Sequence, residues 1–213
     1  MYDFLRYGII VSFLISFASL SYLLILTLLC DKKTLFAKSQ GKAAKGILYA
    51  LTLGLAPWEK ESAVKHLPTY LSGILYHAGI FFGIAYTMIV VIGISISREI
   101  MLVMQILLAG GIFSGSGLFL KRLVIPYMRE ISFPDDFISN ILVDSFMFFA
   151  LLDTFFLKIR PFFLIIAILL FLYIPLGKIR HCFFFFFSRV LFGRYFGKRG
   201  VLPHGQKQTM DEQ

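Results

Sequence analysis

The chain holds two cysteines in 213 residues, Cys30 and Cys182, and contains no Cys-x-x-Cys-His. That removes a haem attached through thioether links, and no iron–sulfur ligand spacing is present either. Acids are scarce as well: 12 Asp and Glu stand against 21 Lys and Arg, and only 15% of the chain is charged. A soluble domain carries about a quarter charged residues, so ordinary globular solubility is excluded. No strongly basic stretch or small-residue cleavage site frames the first apolar segment, which is expected to remain as a helix. No internal repeat is visible, and Asp144 and Asp153, within one apolar stretch, point to nearly opposite faces of a helix. A transporter built from inverted repeats therefore finds little support.

What is present is apolar. Hydrophobic residues make up 58% of the chain and 25 of them are phenylalanine. A spanning helix needs roughly 20 apolar residues, and five stretches suit that role: Gly8–Cys30, Leu67–Ser95, Met101–Leu120, Ile138–Leu157 and Phe162–Ile174. The last can run on through His181 into Phe183–Phe187 with a kink at Pro175. The expected fold is all-α, a polytopic bundle of five transmembrane helices forming a single membrane domain over 1–213.

Basic residues fix the orientation. The segment Asp31–His66 holds seven Lys and Arg, Lys121–Asn140 three, and the tail from Lys178 seven; the opposite side holds only Arg6, Arg98, Lys158 and Arg160. The basic side is the cytoplasmic one, which places the N-terminus outside, the C-terminus inside, and the chain in the inner (cytoplasmic) membrane. The net charge of +9 is then mainly a topology signal, directed at anionic headgroups or a cytoplasmic partner and not at nucleic acid. Residues 31–66 read as a cytoplasmic connector whose Ile47–Trp58 part forms an interfacial helix ended by Pro57. Residues 193–213 read as a basic cytoplasmic tail.

Two histidines sit in this apolar setting, His77 within Leu75–Ile80 and His181 after Pro175. An imidazole in lipid needs a hydrogen-bond partner or a metal. His77 falls about ten residues, roughly 15 Å, into its span from Leu67. Gly73, Gly79 and Gly83 nearby leave room for a flat ligand, although a structural hydrogen bond explains one such histidine equally well. The two histidine-bearing spans run in opposite directions and both residues lie in the cytoplasmic half, so His77 and His181 are the expected ligands of one metal, a six-coordinate haem iron suited to electron transfer. Arg122 and Arg180, with Lys121 and Lys178, are candidate partners for its propionates. His66 and His204 are candidates for a further, cytoplasmic haem. Gly111 and Gly115 form a pair that admits a close helix or a flat ligand. Asp153 can pair with Lys158 or Arg160 or receive protons from a quinol.

Leu75-Tyr76-His77-Ala78-Gly79-Ile80, Ala109-Gly110-Gly111, Leu120-Lys121-Arg122-Leu123, Asp136 and Pro175 through His181 follow one another in an order that resembles a known family. It is the membrane cytochrome b of respiratory nitrate reductase, the gamma subunit, with its relatives in heterodisulfide-reductase-like complexes. The resemblance covers about residues 67–190. It implies a b-type haem (heme b) on the cytoplasmic side held by His77 and His181, a quinone or quinol as one redox partner, and a cytoplasmic iron–sulfur or reductase subunit as the other. The family's outer haem would require histidines where this chain has Thr87 and Phe163, so the resemblance implies one haem here, and it leaves the outer quinol site in doubt. The chain is then an electron-transfer subunit of an oxidoreductase complex. The alternative is a haem-free membrane anchor or scaffold that recruits a cytoplasmic partner.

Overall fold

The computed structural model describes residues 2–30 and 38–202, and the described chain is helical throughout, with no strand among the described residues. Four helices are long and apolar enough to cross a membrane: α1 (Tyr2–Leu29), α4 (Leu67–Ile92), α5 (Arg98–Val124) and α7 (Pro134–Phe155). Between them lie the shorter α2 (Ala43–Leu51), α3 (Glu61–Lys65) and α6 (Pro126–Glu130), followed by α8 (Arg160–Tyr173) and α9 (His181–Lys198). The segments Leu157–Tyr173 and Lys178–Lys198 are long and apolar enough only jointly, across a break where they bend by 78°, so the described residues hold four candidate spans, or five if that pair counts as one. With 14 residues, α8 alone rises about 21 Å, short of the roughly 30 Å of bilayer hydrocarbon. The break falls at the expected proline: the Leu176 and Gly177 amides both donate to the Tyr173 carbonyl, 3.0 and 3.1 Å away, and close the helix.

The helix starts follow from local chemistry. Ser97 caps α5 by accepting from the Ile100 amide. Pro126 and Pro134 open α6 and α7, where a missing amide proton is tolerated. Asp136 reaches back to accept from the Phe133 amide at 2.9 Å, so the first turn of α7 is held by its own carboxylate. Gly93, at φ +80°, makes the turn that leaves α4.

The chain divides into two compact units, one of Met1–Tyr22 with Pro68–Arg180 and one of Leu23–Leu67 with His181–Gln213. In the first, Phe146, Phe163, Leu108, Met147, Leu164 and Leu170 are fully buried. Helix α1 turns Ile9, Ser12, Ser16 and Leu20 inward, a stripe at helical spacing whose small residues allow close approach. Its Phe13 ring meets Phe171 edge-on at 5.7 Å. Helices α4 and α5 cross at glycines: a Cβ on Gly79 would lie 2.8 Å from the Gly111 Cα and 3.0 Å from the Met147 Sδ.

The second unit is built on a different seam. Helices α2 and α9 pack along Gly46, Gly193 and Gly197, where a Cβ on Gly46 would come within 2.5 Å of the Gly197 Cα. Arg189 on α9 donates through Nε to the Ala50 carbonyl at 3.0 Å and through Nη2 to the Gly54 carbonyl at 2.9 Å, serving the orphan carbonyls where α2 ends. The Gln40 and Gly41 amides do the same for the Lys198 carbonyl. Helix α9 thus extends through residues 193–198, which the sequence reading assigns to a tail. The apolar stretch read as one interfacial helix over Ile47–Trp58 is instead the end of α2 followed by two 3-10 turns, Leu53–Leu55 and Pro57–Glu59.

Candidate functional site

His77 sits on the outward face of α4 and is exposed. Its ring Nδ1 lies 2.7 Å from the Gly73 carbonyl oxygen one turn earlier, and Nδ1–H donates that bond. This fixes the ring orientation and the tautomer, and is the arrangement by which metal-binding histidines in proteins are commonly held. A Cβ on Gly73 would meet nothing within 4 Å, so the helix surface beside the imidazole is open. Gly79 and Gly83 do not contribute to that space. Both are buried and face the interior, against Gly111 and Phe146 respectively, so their role is helix packing.

His181 is the first residue of α9 and is exposed. It opens a helix of the second unit, whereas His77 belongs to the first. His66 is exposed at the end of α3, and His204 lies outside the described residues. Among the described residues no group of three or more His, Cys, Asp or Glu gathers to hold a metal ion; a haem needs only two axial ligands, so this bears on other metal centres.

Of the two arginines expected near propionates, Arg122 is engaged: its Nη1 lies 3.0 Å from Asp136 Oδ1. Lys178 Nζ reaches the same carboxylate at 2.6 Å, and Lys121 donates to the Thr69 hydroxyl at 2.8 Å. Arg180 is exposed at the end of the turn Lys178–Arg180. Asp135 binds the Tyr173 hydroxyl and the Lys178 amide, the latter at 2.7 Å. The end of the first unit where α7 begins is therefore a layer of paired charges.

The opposite region is filled. Thr87 is fully buried with its hydroxyl on the Gly83 carbonyl at 2.9 Å. Phe163, also fully buried, packs its ring 5.5 Å from Tyr86 and 5.9 Å from Phe146. Below these rings Asp153 is 1% exposed and completely paired. It accepts from the Tyr86 hydroxyl at 2.7 Å and from Arg160 Nε at 3.2 Å. Pairing with Arg160, one of the two cations expected for it, is the arrangement found.

One polar group in the interior escapes a reading of the sequence alone. Tyr76 on α4, Asn140 and Asp144 on α7, and the bare backbone of Gly115 on α5 meet inside the first unit. Asn140 Nδ2 donates to the Tyr76 hydroxyl at 2.8 Å and lies 3.4 Å from Asp144 Oδ2. Gly115 is needed there, because Asp144 Oδ1 and the Tyr76 ring occupy the place of a Cβ. The signal was present as a four-residue spacing of Asp136, Asn140 and Asp144, obscured by the apolar residues between them.

No known protein family, curated protein or solved structure matches the chain.

Proposed function

We propose that this chain is a membrane b-type cytochrome that passes electrons between the quinone pool and a cytoplasmic iron–sulfur or reductase subunit, with one haem axially ligated by His77 and His181. The observation that carries the reading is the Nδ1 hydrogen bond from His77 to the Gly73 carbonyl, beside an open helix surface. A histidine held through Nδ1 presents Nε2 to a metal with its basicity raised by the backbone acceptor. The haem, when bound, supplies reversible one-electron exchange at an iron with no open position.

The chain's own residues do the rest. Helix α4 fixes the imidazole against rotation, and Gly73 keeps the adjoining surface clear of side chains. Arg180 is the stronger candidate for a propionate, since Arg122 is already engaged by Asp136. The mutual packing of Tyr86, Phe146 and Phe163, with Phe163 and Thr87 both fully buried, supports one haem in preference to two. The asymmetry of Lys and Arg along the chain supports an external N-terminus and an internal C-terminus in the cytoplasmic membrane. The order of motifs from Leu75 to His181 supports kinship with the gamma subunit of respiratory nitrate reductase.

The test is pigment content. Detergent-purified wild-type protein is expected to carry haem, and His77→Ala and His181→Ala are each expected to lose it or to lose its low-spin spectrum. A colourless wild type would leave the anchor or scaffold role, and a bis-histidine spectrum surviving in either variant would remove that ligand.

A further inference from the structure

Helix α7 carries Asp136, Asn140 and Asp144 at four-residue intervals, hence on one face. At its start Asp136 is held by Arg122 and Lys178 in the layer of charges. One turn further in, Asn140 donates to the Tyr76 hydroxyl and lies next to Asp144. One turn beyond that, Asp144 Oδ1 is buried with no hydrogen-bond partner. The next residue on this face is Met147, fully buried and packed on Gly79 and Gly111. A polar stripe therefore enters the bundle from the end where α7 begins, and it stops at Asp144.

An ionised carboxylate with a bare oxygen is far more costly in a membrane interior than the neutral acid. Asp153, nine residues away, has the partners that an ionised carboxylate needs: a half-buried arginine and a hydroxyl donor. Asp144 has the Tyr76 hydroxyl and the Asn140 amide beside it but no cation, and its Oδ1 has no partner. The groups packed against it are Tyr76 from α4, Asn140 from its own helix, and Gly115 from α5, which has no side chain. The cations Arg122 and Lys178 are held by Asp136, two turns away along α7.

We propose that Asp144 is a reversible proton-binding site in the membrane interior, resting as the neutral acid and exchanging its proton with the aqueous end of the bundle where α7 begins. Uptake forms one O–H bond on the carboxylate at the expense of a hydronium ion entering along the Asp136–Asn140 face, leaving water. Release reverses this, and no electron moves. Resting protonated, such a site lets the protein give up one positive charge when positive charge arrives in its interior and take it back when that charge leaves. The geometry of the stripe carries this inference, which stands whether or not a haem is bound.

Infrared spectroscopy of the full-length detergent-purified protein at neutral pH tests it. The wild type is expected to show the carbonyl band of a protonated carboxylic acid that shifts in D2O. Asp144→Asn is expected to lose that band and Asp153→Asn to keep it. Asp144→Glu is expected to restore a band at an altered position, which guards against a variant that merely misfolds. Asn140→Leu is expected to retain the band and slow its shift in D2O. A wild type without the band, a band that persists in Asp144→Asn, or a band that never shifts in D2O would overturn the proposal. Exchange in Asn140→Leu as fast as in the wild type would overturn the stripe as its route. A colourless protein with an Asp144-dependent band would reject the haem and keep the proton site.

Discussion

Asp153 and Asp144 sit on the same helix, nine residues apart, yet the surroundings built around them differ in kind. Asp153 is enclosed by a tyrosine hydroxyl and a guanidinium, with every oxygen engaged. Asp144 is enclosed by a tyrosine, an asparagine and a glycine backbone, with one oxygen bare. The first arrangement pairs the carboxylate with a cation and ties α4, α7 and the start of α8 together. The second leaves the protonation state open, in the half of the bundle that also carries His77. Residues of the same type, one midway along α7 and one near its end, thus divide into a structural pair and a responsive site, and the partners around each make the division.

The largest effect should come from breaking the structural pair. Arg160→Leu leaves Asp153 buried without its cation, and a loss of about 3–5 kcal/mol is expected in detergent unfolding. The double variant Arg160→Leu/Asp153→Leu should recover much of that loss, because no uncompensated charge remains. A double variant as unstable as the single one would show that packing, and not the ion pair, governs this end.

The glycine seam of the second unit comes next. A Cβ on Gly46 points at main-chain atoms of Gly193 and Gly197, which cannot yield as a side chain would. Gly46→Leu should therefore cost about 1–3 kcal/mol and expose α9 to proteolysis, leaving the thermal stability of the first unit's core unchanged.

Asp144→Asn should be the mildest change inside the bundle, within about 1 kcal/mol of wild type and of either sign, because it replaces a poorly satisfied acid by a neutral group. A loss as large as that of Arg160→Leu would mean that Asp144 is structural after all, and would erase the contrast between the two aspartates.

The smallest effect is a pH dependence. Burial, reinforced by the hydrogen bond from its hydroxyl to Glu59 at 2.5 Å, pushes Tyr49 on α2 up to about 12 from its ordinary 10.0. The folded unit then holds the phenolic proton more tightly than the unfolded chain does. That stabilisation is complete below about pH 10 and is lost as pH rises through about 12. Tyr49→Phe should flatten the alkaline limb of an unfolding profile and leave the neutral region alone. An unchanged limb would dissociate Tyr49 from the stability of the α2–α9 pair.

The sequence announced its helices plainly, because long apolar runs broken by Pro126, Pro134 and Gly93 have few other solutions in lipid. The fifth span was harder to read. The run from Phe162 to Phe187 is apolar almost throughout, yet Pro175 and Gly177 divide it, and hydropathy averages over such a break. His77 was legible as an oddity in an apolar stretch, but its hydrogen bond to Gly73 depends on helical register and side-chain rotamer. Gly79 and Gly83 looked like space for a ligand, and they are contact points for α5 and α7. The Tyr76–Asn140–Asp144 group was the least legible, since Tyr76 joins it from 64 positions away and no local pattern connects it to the spaced pair on α7.

The central claim is that one haem is bound, through two imidazoles. Low-temperature electron paramagnetic resonance of the oxidised, detergent-purified protein, combined with a haem-to-protein ratio, tests it most directly. One low-spin haem per chain with a bis-imidazole signal is the expected result. No haem, two haems, or a high-spin iron with an open position would contradict it.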